Sequence, residues 1–206
     1  MRFTTRRLRR AVLAAVTLAL ALLTAHLALG GREPPLPVLD TVGGPFTLPS
    51  TRGGALSLDD LRGQVVLLNF GYTDCPEVCP TVLARLRAVL LDLDALGIPV
   101  QPLFVTLDPE RDELPVLSRY LAHFHPSLVG LRGSPEQTAE VARRYQVYYQ
   151  RTPAGEDGGY ALDHSVHIYL IDPAGRVRAT FGADVPVERM VATVRRLRSG
   201  RGGFPW

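Results

Sequence analysis

Short apolar runs alternate with longer amphipathic stretches through most of the chain. The short runs predict strands at residues 65–70, 100–107, 128–131, 166–171 and 177–181. Apolar residues spaced by threes and fours predict helices at residues 80–96, 114–124, 134–145 and 187–197. A hairpin over residues 45–58 and a short helical turn over residues 59–63 precede the first buried strand. Strands that alternate with helices in this way predict an α/β sandwich.

The N-terminal segment has a different pattern. Arginines crowd residues 1–10, and Ala11–Leu29 then runs without a charge for about the length of a bilayer span. We expect a cytoplasmic basic segment over 1–10 and a transmembrane anchor over 11–30. The following domain would then lie on the outer, periplasmic side of the inner membrane. The alternatives are a buried soluble helix and a signal peptide cleaved at Ala28-Leu29-Gly30.

The proline positions predict the segment boundaries in the rest of the chain. The proline-rich residues 34–37 predict an extended linker over 31–43, a domain over 44–198 and a flexible tail over 199–206. The formal net charge of +3 comes from arginines at the two ends of the chain, and these leave the central domain acidic. A nucleic-acid-binding face on the folded part is therefore not expected.

Only two cysteines are present, Cys75 and Cys79, and both lie between the first buried strand and the helix that follows it. Two thiols this close predict a local site rather than a disulfide framework. A strand, a loop and a helix that begins at cysteines are typical of a thioredoxin-like fold. The free N–H groups at a helix N-terminus lower the pKa of a thiol, so we expect thiolates, which are both nucleophiles and metal ligands.

Two sulfurs need a further ligand to hold a metal ion, and imidazole is the usual one. His164 and His167 lie at the start of a predicted strand and are three residues apart, so they face opposite ways and at most one reaches the sulfurs. The spacing alone leaves His164 open as a ligand or as a core or surface histidine. Two sulfurs and one imidazole suit Cu(I), and a fourth position would serve Cu(II).

At these residues the sequence resembles the Sco/SenC family of copper-delivery proteins. The resemblance rests on GYTDCPEVCP (71–80), LDPERD (107–112), LVGLRG (128–133), VARRY (141–145), DHS (163–165) and YLIDPAG (169–175). It implies a thioredoxin-like fold and one copper ion, Cu(I) or Cu(II), held by Cys75, Cys79 and His164. It also implies a metallochaperone for the binuclear copper centre of cytochrome c oxidase. The implied partners are the copper-centre subunit of the oxidase and other copper carriers, with the membrane contacted through the anchor.

The cysteine pair also leaves a second function open. A redox-active pair is suited to thiol–disulfide reduction, and the alternative to metal delivery is a membrane-anchored thiol–disulfide oxidoreductase that does not depend on copper. Such proteins use C-x-x-C, whereas three residues separate Cys75 from Cys79. A peroxidase would place a threonine three residues before its cysteine, and Thr73 lies two residues before Cys75. Apart from thiol reduction, we do not expect an enzyme.

Residues near the cysteines are expected to have supporting roles. Asp108, Arg111 and Asp112 are predicted to form an ion-pair network that shapes the loop beside the site. Asp74 stands where many family members have histidine, and it adds negative charge beside a cation. Ser165 stands where threonine is common, and neither departure removes a ligand.

Overall fold

A five-stranded mixed sheet forms the centre of the domain in the computed structural model, which describes residues 3–29, 34–154 and 159–199. In spatial order its strands are β5 (Val129–Leu131), β4 (Gln101–Thr106), β3 (Val66–Gly71), β8 (Ile168–Ile171) and β9 (Val177–Phe181). β3, β4 and β5 run parallel to one another, whereas β8 and β9 are antiparallel to their neighbours. Every residue of β3 and β4 is buried, because both faces of the sheet are covered.

Elements on the two faces of the sheet complete the layers. One face is covered by α2 (Val78–Ala95), α3 (Leu114–Ala122) and α5 (Val187–Ser199). The other is covered by α4 (Pro135–Arg144), a hairpin of β1 (Thr47–Pro49) and β2 (Ala55–Ser57), and a 3-10 helix at Leu58–Leu61. Leu67 packs with the first set and Leu68 with the second, since successive side chains of a strand point to opposite faces. The predicted α/β sandwich is confirmed.

Local signals explain where several helices begin and end. Ser134 precedes α4, and its hydroxyl accepts a hydrogen bond from the Gln137 amide while the Gln137 side chain accepts one from the Ser134 amide. Gly97 follows α2 with a φ of +64°, a conformation that glycine adopts without steric cost. Because of such signals, the helices predicted from the sequence lie close to the observed ones.

A second hairpin was not predicted. β6 (Tyr149–Ala154) and β7 (Gly159–His164) pair antiparallel in a two-stranded sheet of their own, with Tyr149 opposite His164. The sequence analysis predicted a loop around residues 155–159, and residues 155–158 lie outside the described part of the chain. His164 is the last residue of β7, whereas the sequence placed it at the start of the strand predicted at residues 166–171.

The N-terminal residues form α1 (Phe3–Leu29), which contains most of the predicted anchor. Within residues 3–29, 34–154 and 159–199, no helix is both long enough and apolar enough to cross a membrane. The predicted anchor over 11–30 is therefore not supported.

The predicted linker and tail, at the two ends of the domain, are only partly described by the structure. Residues 31–33 of the linker and residues 200–206 of the tail lie outside the described part of the chain. The later linker residues run along β9, where the Leu39 amide donates to the Val177 carbonyl at 2.9 Å.

Candidate metal centre

The two cysteines lie where β3 passes through a loop into α2. Cys75 is in the loop and Cys79 is the second residue of α2, and their exposed fractions are 8% and 2%. The amide of Cys79 donates a hydrogen bond to the Cys75 sulfur at 3.3 Å. The first amides of a helix have no partner inside the helix, so the Cys75 sulfur takes one of the free donors at the N-terminus of α2. The sequence predicted this placement between the strand and the helix, although Cys79 already lies within α2 and only Cys75 precedes it.

His164 reaches the sulfurs from the end of β7. Its Nε2 lies 3.3 Å from the Cys79 sulfur, and the three potential ligand atoms of Cys75, Cys79 and His164 all lie within 4.8 Å of one another. Its Nδ1 lies 2.9 Å from the Ser165 carbonyl oxygen. A carbonyl only accepts hydrogen bonds, so the proton is assigned to Nδ1 and the lone pair of Nε2 faces the sulfurs. His167 is exposed and belongs to no such cluster among the described residues.

Burial governs the protonation of the cluster. Removal from water raises the pKa of the Cys79 thiol; a hydrogen bond from the Tyr72 backbone opposes the rise, and the neighbouring Cys75 adds to it. Burial thus opposes, at Cys79, the thiolate that the helix N-terminus is expected to favour. Burial lowers the pKa of His164, which favours the neutral imidazole that binds metals.

A cleft of about 280 Å³ opens onto the cluster. Its walls include Pro76 from the loop before α2, Val78 from the first position of α2 and Thr152 from β6. Glu77 and Asp163 also line it, and both are exposed. These two carboxylates place negative charge at the entrance, which favours the approach of a cation.

Hydrogen bonds to the buried side chain of Asp112 hold the loop that carries Cys75. The carboxylate of Asp112 is fully buried, and it accepts hydrogen bonds from the Thr73 amide at 3.0 Å and from the Thr106 hydroxyl at 2.6 Å. Burial raises the pKa of Asp112, although the hydrogen bonds from the two threonines oppose the rise. Asp112 forms no ion pair among the described residues, so its predicted place in an ion-pair network is wrong, and it supports the loop through the two threonines instead.

Arg111 extends the predicted network beyond its expected members. Its Nε pairs with the buried carboxylate of Asp108, and its Nη1 lies 2.8 Å from the carboxylate of Asp74. The guanidinium also stacks on the ring of Tyr160, with Cζ 3.9 Å from the ring centre. The predicted pair of Asp108 and Arg111 is confirmed, whereas the sequence analysis missed Tyr160.

Tyr72 is a second residue that the sequence analysis missed. Its hydroxyl accepts a hydrogen bond from the Leu162 amide at 3.2 Å, and its ring meets the edge of the His164 ring with 5.8 Å between the centres. The sequence did contain a signal for the strand that carries His164, because Tyr160, Leu162 and His164 alternate with other residues as one face of a strand does. Residues two apart in a strand share a face, so the alternation indicates that these side chains act together.

The donor set fits copper. Two cysteine sulfurs and one neutral imidazole make a small, soft set that suits Cu(I), whereas structural zinc sites usually have four protein ligands. The hydrogen bond from His164 Nδ1 to the Ser165 carbonyl fixes the ring with Nε2 towards the sulfurs, as is usual for histidine ligands.

Comparison with known sequences gives one family. The SCO1/SenC family model matches residues 37–199. The mitochondrial "Protein SCO2 homolog" of Bos taurus is 46% identical over 155 residues, which are 74% of this chain and 58% of that protein. The chain thus spans less than two thirds of the length of that relative.

Solved structures of similar proteins contain copper. The crystal structure of Arabidopsis thaliana ScoI with copper bound is 36% identical and has a TM-score of 0.72, and the match covers 77% of this chain and 99% of that one. The structure of Bradyrhizobium japonicum ScoI with copper bound is 38% identical and has a TM-score of 0.69, with 76% and 99% covered. The expected thioredoxin-type fold is confirmed, and homologous structures hold the metal that the sequence predicted.

Proposed function

The chain belongs to the SCO1/SenC family, and we propose that it is a copper metallochaperone with one ion bound to Cys75, Cys79 and His164. The copper is cargo, which the protein holds until an acceptor takes it. Residues 44–198 form the copper-binding domain in this proposal. The observation that carries it is the convergence of three potential ligand atoms within 4.8 Å, in a cleft open to solvent.

Copper affinity is the direct test of this ligand set. The wild type should bind one Cu(I) per chain, and His164→Ala should weaken binding because the ion loses one of its three ligands. His167→Ala is the matched control, since His167 is exposed and lies three residues further along the chain. Competition against a Cu(I) chelator measures all three affinities. Unchanged affinity in His164→Ala would exclude that histidine as a ligand.

We further propose that the acceptor is the copper-centre subunit of cytochrome c oxidase, with other copper carriers as donors. The resemblance of the cysteine and histidine segments to the Sco/SenC family supports this step. The domain would work on the outer, periplasmic side of the inner membrane. Deletion of the gene should lower oxidase activity under copper limitation, and a gene encoding Cys75→Ala should fail to restore it. Normal oxidase assembly in the deletion strain would contradict the proposed acceptor.

Thiol–disulfide exchange is the second candidate function. Both cysteines are free, their sulfurs lie within 4.8 Å of each other, and Cys75 lines the cleft through which a partner would approach. The discriminating assay is reduction of a protein disulfide by the copper-free form. If His164→Ala reduces the disulfide at the wild-type rate but no longer holds copper, reduction is independent of the metal site.

A further inference from the structure

The strand that carries His164 is separate from the central sheet. Within the described part of the chain β6 and β7 pair only with each other, whereas the cysteines follow β3 in the middle of the five-stranded sheet. A two-stranded hairpin is at best marginally stable by itself. The distance between His164 and the sulfurs therefore depends on the side chains that hold this hairpin against the rest of the domain.

Three alternate residues of β7 make part of those contacts, and Arg151 of β6 adds an ion pair with Glu110 at 2.6 Å. Tyr160, Leu162 and His164 lie on one face of the strand, because side chains two apart point the same way. Leu162 is buried in the core, and its amide donates to the Tyr72 hydroxyl. His164 meets the Cys79 sulfur at the end of the strand. Tyr160 is thus the outermost contact, on the strand that leads directly to the histidine.

Arg111 holds Tyr160 in two ways. Its guanidinium lies 3.9 Å from the centre of the tyrosine ring, and its Nη1 donates to the Tyr160 carbonyl at 3.0 Å. The Tyr160 hydroxyl donates to the Asp108 carboxylate at 2.7 Å, and that carboxylate also pairs with Arg111. The same guanidinium reaches Asp74, the residue directly before Cys75. Arg111 therefore connects the cysteine loop to the hairpin that carries the histidine.

We propose that Arg111 is a positioning residue for copper transfer, because its contact with Tyr160 holds β7 and keeps His164 over the cysteine sulfurs. The inference rests on the proposed function, in which His164 is a copper ligand. While the contact lasts, the imidazole completes the metal site. When β7 moves away from Arg111, the ion keeps two sulfur ligands and is open to an acceptor.

The test measures the rate at which Cu(I) passes from the protein to bicinchoninate. Arg111→Met should raise this rate about 10-fold, the lower end of the effect of removing a residue that orients a metal ligand. In the His164→Ala background the same change should alter the rate less than about twofold, because no histidine remains to be positioned. Additive effects of the two substitutions would overturn the proposal.

Arg178→Met is the matched control for a general loss of stability. Arg178 also pairs with a buried carboxylate, that of Asp172 at 2.8 Å, but it lies on β9. It should leave the transfer rate unchanged, and an equal acceleration in this variant would overturn the proposal. Tyr160→Leu serves as a second variant if Arg111→Met does not fold. It should also speed transfer, and a wild-type rate in it would contradict the role of the contact.

Two further readouts separate positioning from other causes. Amide exchange in copper-free Arg111→Met should be faster along β7 than in Arg178→Met, whereas equal exchange would count against a hold on the hairpin. The single variant His164→Ala distinguishes failure of the proposed ligand set from failure of the proposed role of Arg111. If its copper affinity equals that of the wild type, the proposed ligand set fails. If its affinity falls but Arg111→Met transfers copper at the wild-type rate, only the role of Arg111 fails.

Discussion

Replacing Gly71 by alanine would crowd the sulfur of Cys79. Gly71 is the last residue of β3, and a Cβ atom there would lie 2.8 Å from that sulfur and 2.9 Å from the Phe104 ring. Optimal contacts between carbon atoms are about 3.5–4.0 Å, so roughly 0.7 Å or more must be gained by movement. Phe104 is fully buried. Cys79 is also buried, but its sulfur shifts by rotation about one side-chain bond, whereas the Phe104 ring must move as a whole. We therefore expect the sulfur to move, and with it the 3.3 Å approach to His164.

Such a shift is large for a metal site, where ligand distances are held to within about 0.2 Å. We expect Gly71→Ala to lower the Cu(I) affinity by about 10- to 100-fold, as for changes next to the ligands of other metal sites. The apo-protein should also lose about 1–3 kcal/mol of unfolding free energy through overpacking. Chelator competition gives the first quantity, and urea unfolding of the apo-protein gives the second.

Gly130→Ala is the control for this reasoning. A Cβ atom at Gly130 would lie 2.6 Å from the Leu117 side chain, so this change also overpacks the core. It should cost comparable stability while leaving the Cu(I) affinity at the wild-type value. Wild-type affinity in Gly71→Ala would refute the argument from sulfur displacement. An equal loss of affinity in Gly130→Ala would show that general destabilisation is responsible.

Three other predictions concern acid, a helix cap and oxidation. Burial by itself would raise the pKa of Asp172, but hydrogen bonds from Arg176 and Arg178 outweigh burial, so the pKa is lowered in the folded protein. The ionised carboxylate therefore stabilises the fold above about pH 4, the pKa of an unfolded aspartate, and this stabilisation is lost as the pH falls through the lowered pKa of the folded state. Asp172→Asn should cost about 2 kcal/mol at pH 6 and less at pH 3 in urea unfolding, and an equal cost at both would contradict this assignment. Ser134→Ala should cost about 1 kcal/mol through loss of the α4 cap, measured by the same unfolding assay. A Cys75–Cys79 disulfide should abolish copper binding in a titration of the oxidised protein, because no thiolate remains, and tight binding by that form would contradict both sulfur ligands.

Local sequence determined most of the helices and strands, and it located both cysteines. β3 is a mostly apolar run, and α2 shows leucines at threes and fours, so each could be identified from its own residues. The cysteines follow directly because they lie in the few residues between these two elements. These features depend on neighbours along the chain, which sequence patterns capture well.

The unpredicted features depend on contacts between distant residues. The hairpin of β6 and β7 contains Pro153 and many polar residues, so its two strands are recognised by their pairing rather than by apolar runs. The stacking of Arg111 on Tyr160 joins residues 49 positions apart. The raised pKa of Cys79 likewise arises from burial in the folded domain. The alternation of Tyr160, Leu162 and His164 indicates a strand, but a local pattern does not specify the partners of that strand or the burial of Cys79.

X-ray absorption of the Cu(I)-loaded protein tests the proposed metal site most directly. The wild type should show about two sulfur ligands and one nitrogen ligand, as expected for a Cu(I) site built from two cysteines and one histidine. His164→Ala should lose the nitrogen, while His167→Ala should keep it. A wild-type shell made only of sulfur, or a nitrogen that persists in His164→Ala, would contradict copper binding by Cys75, Cys79 and His164.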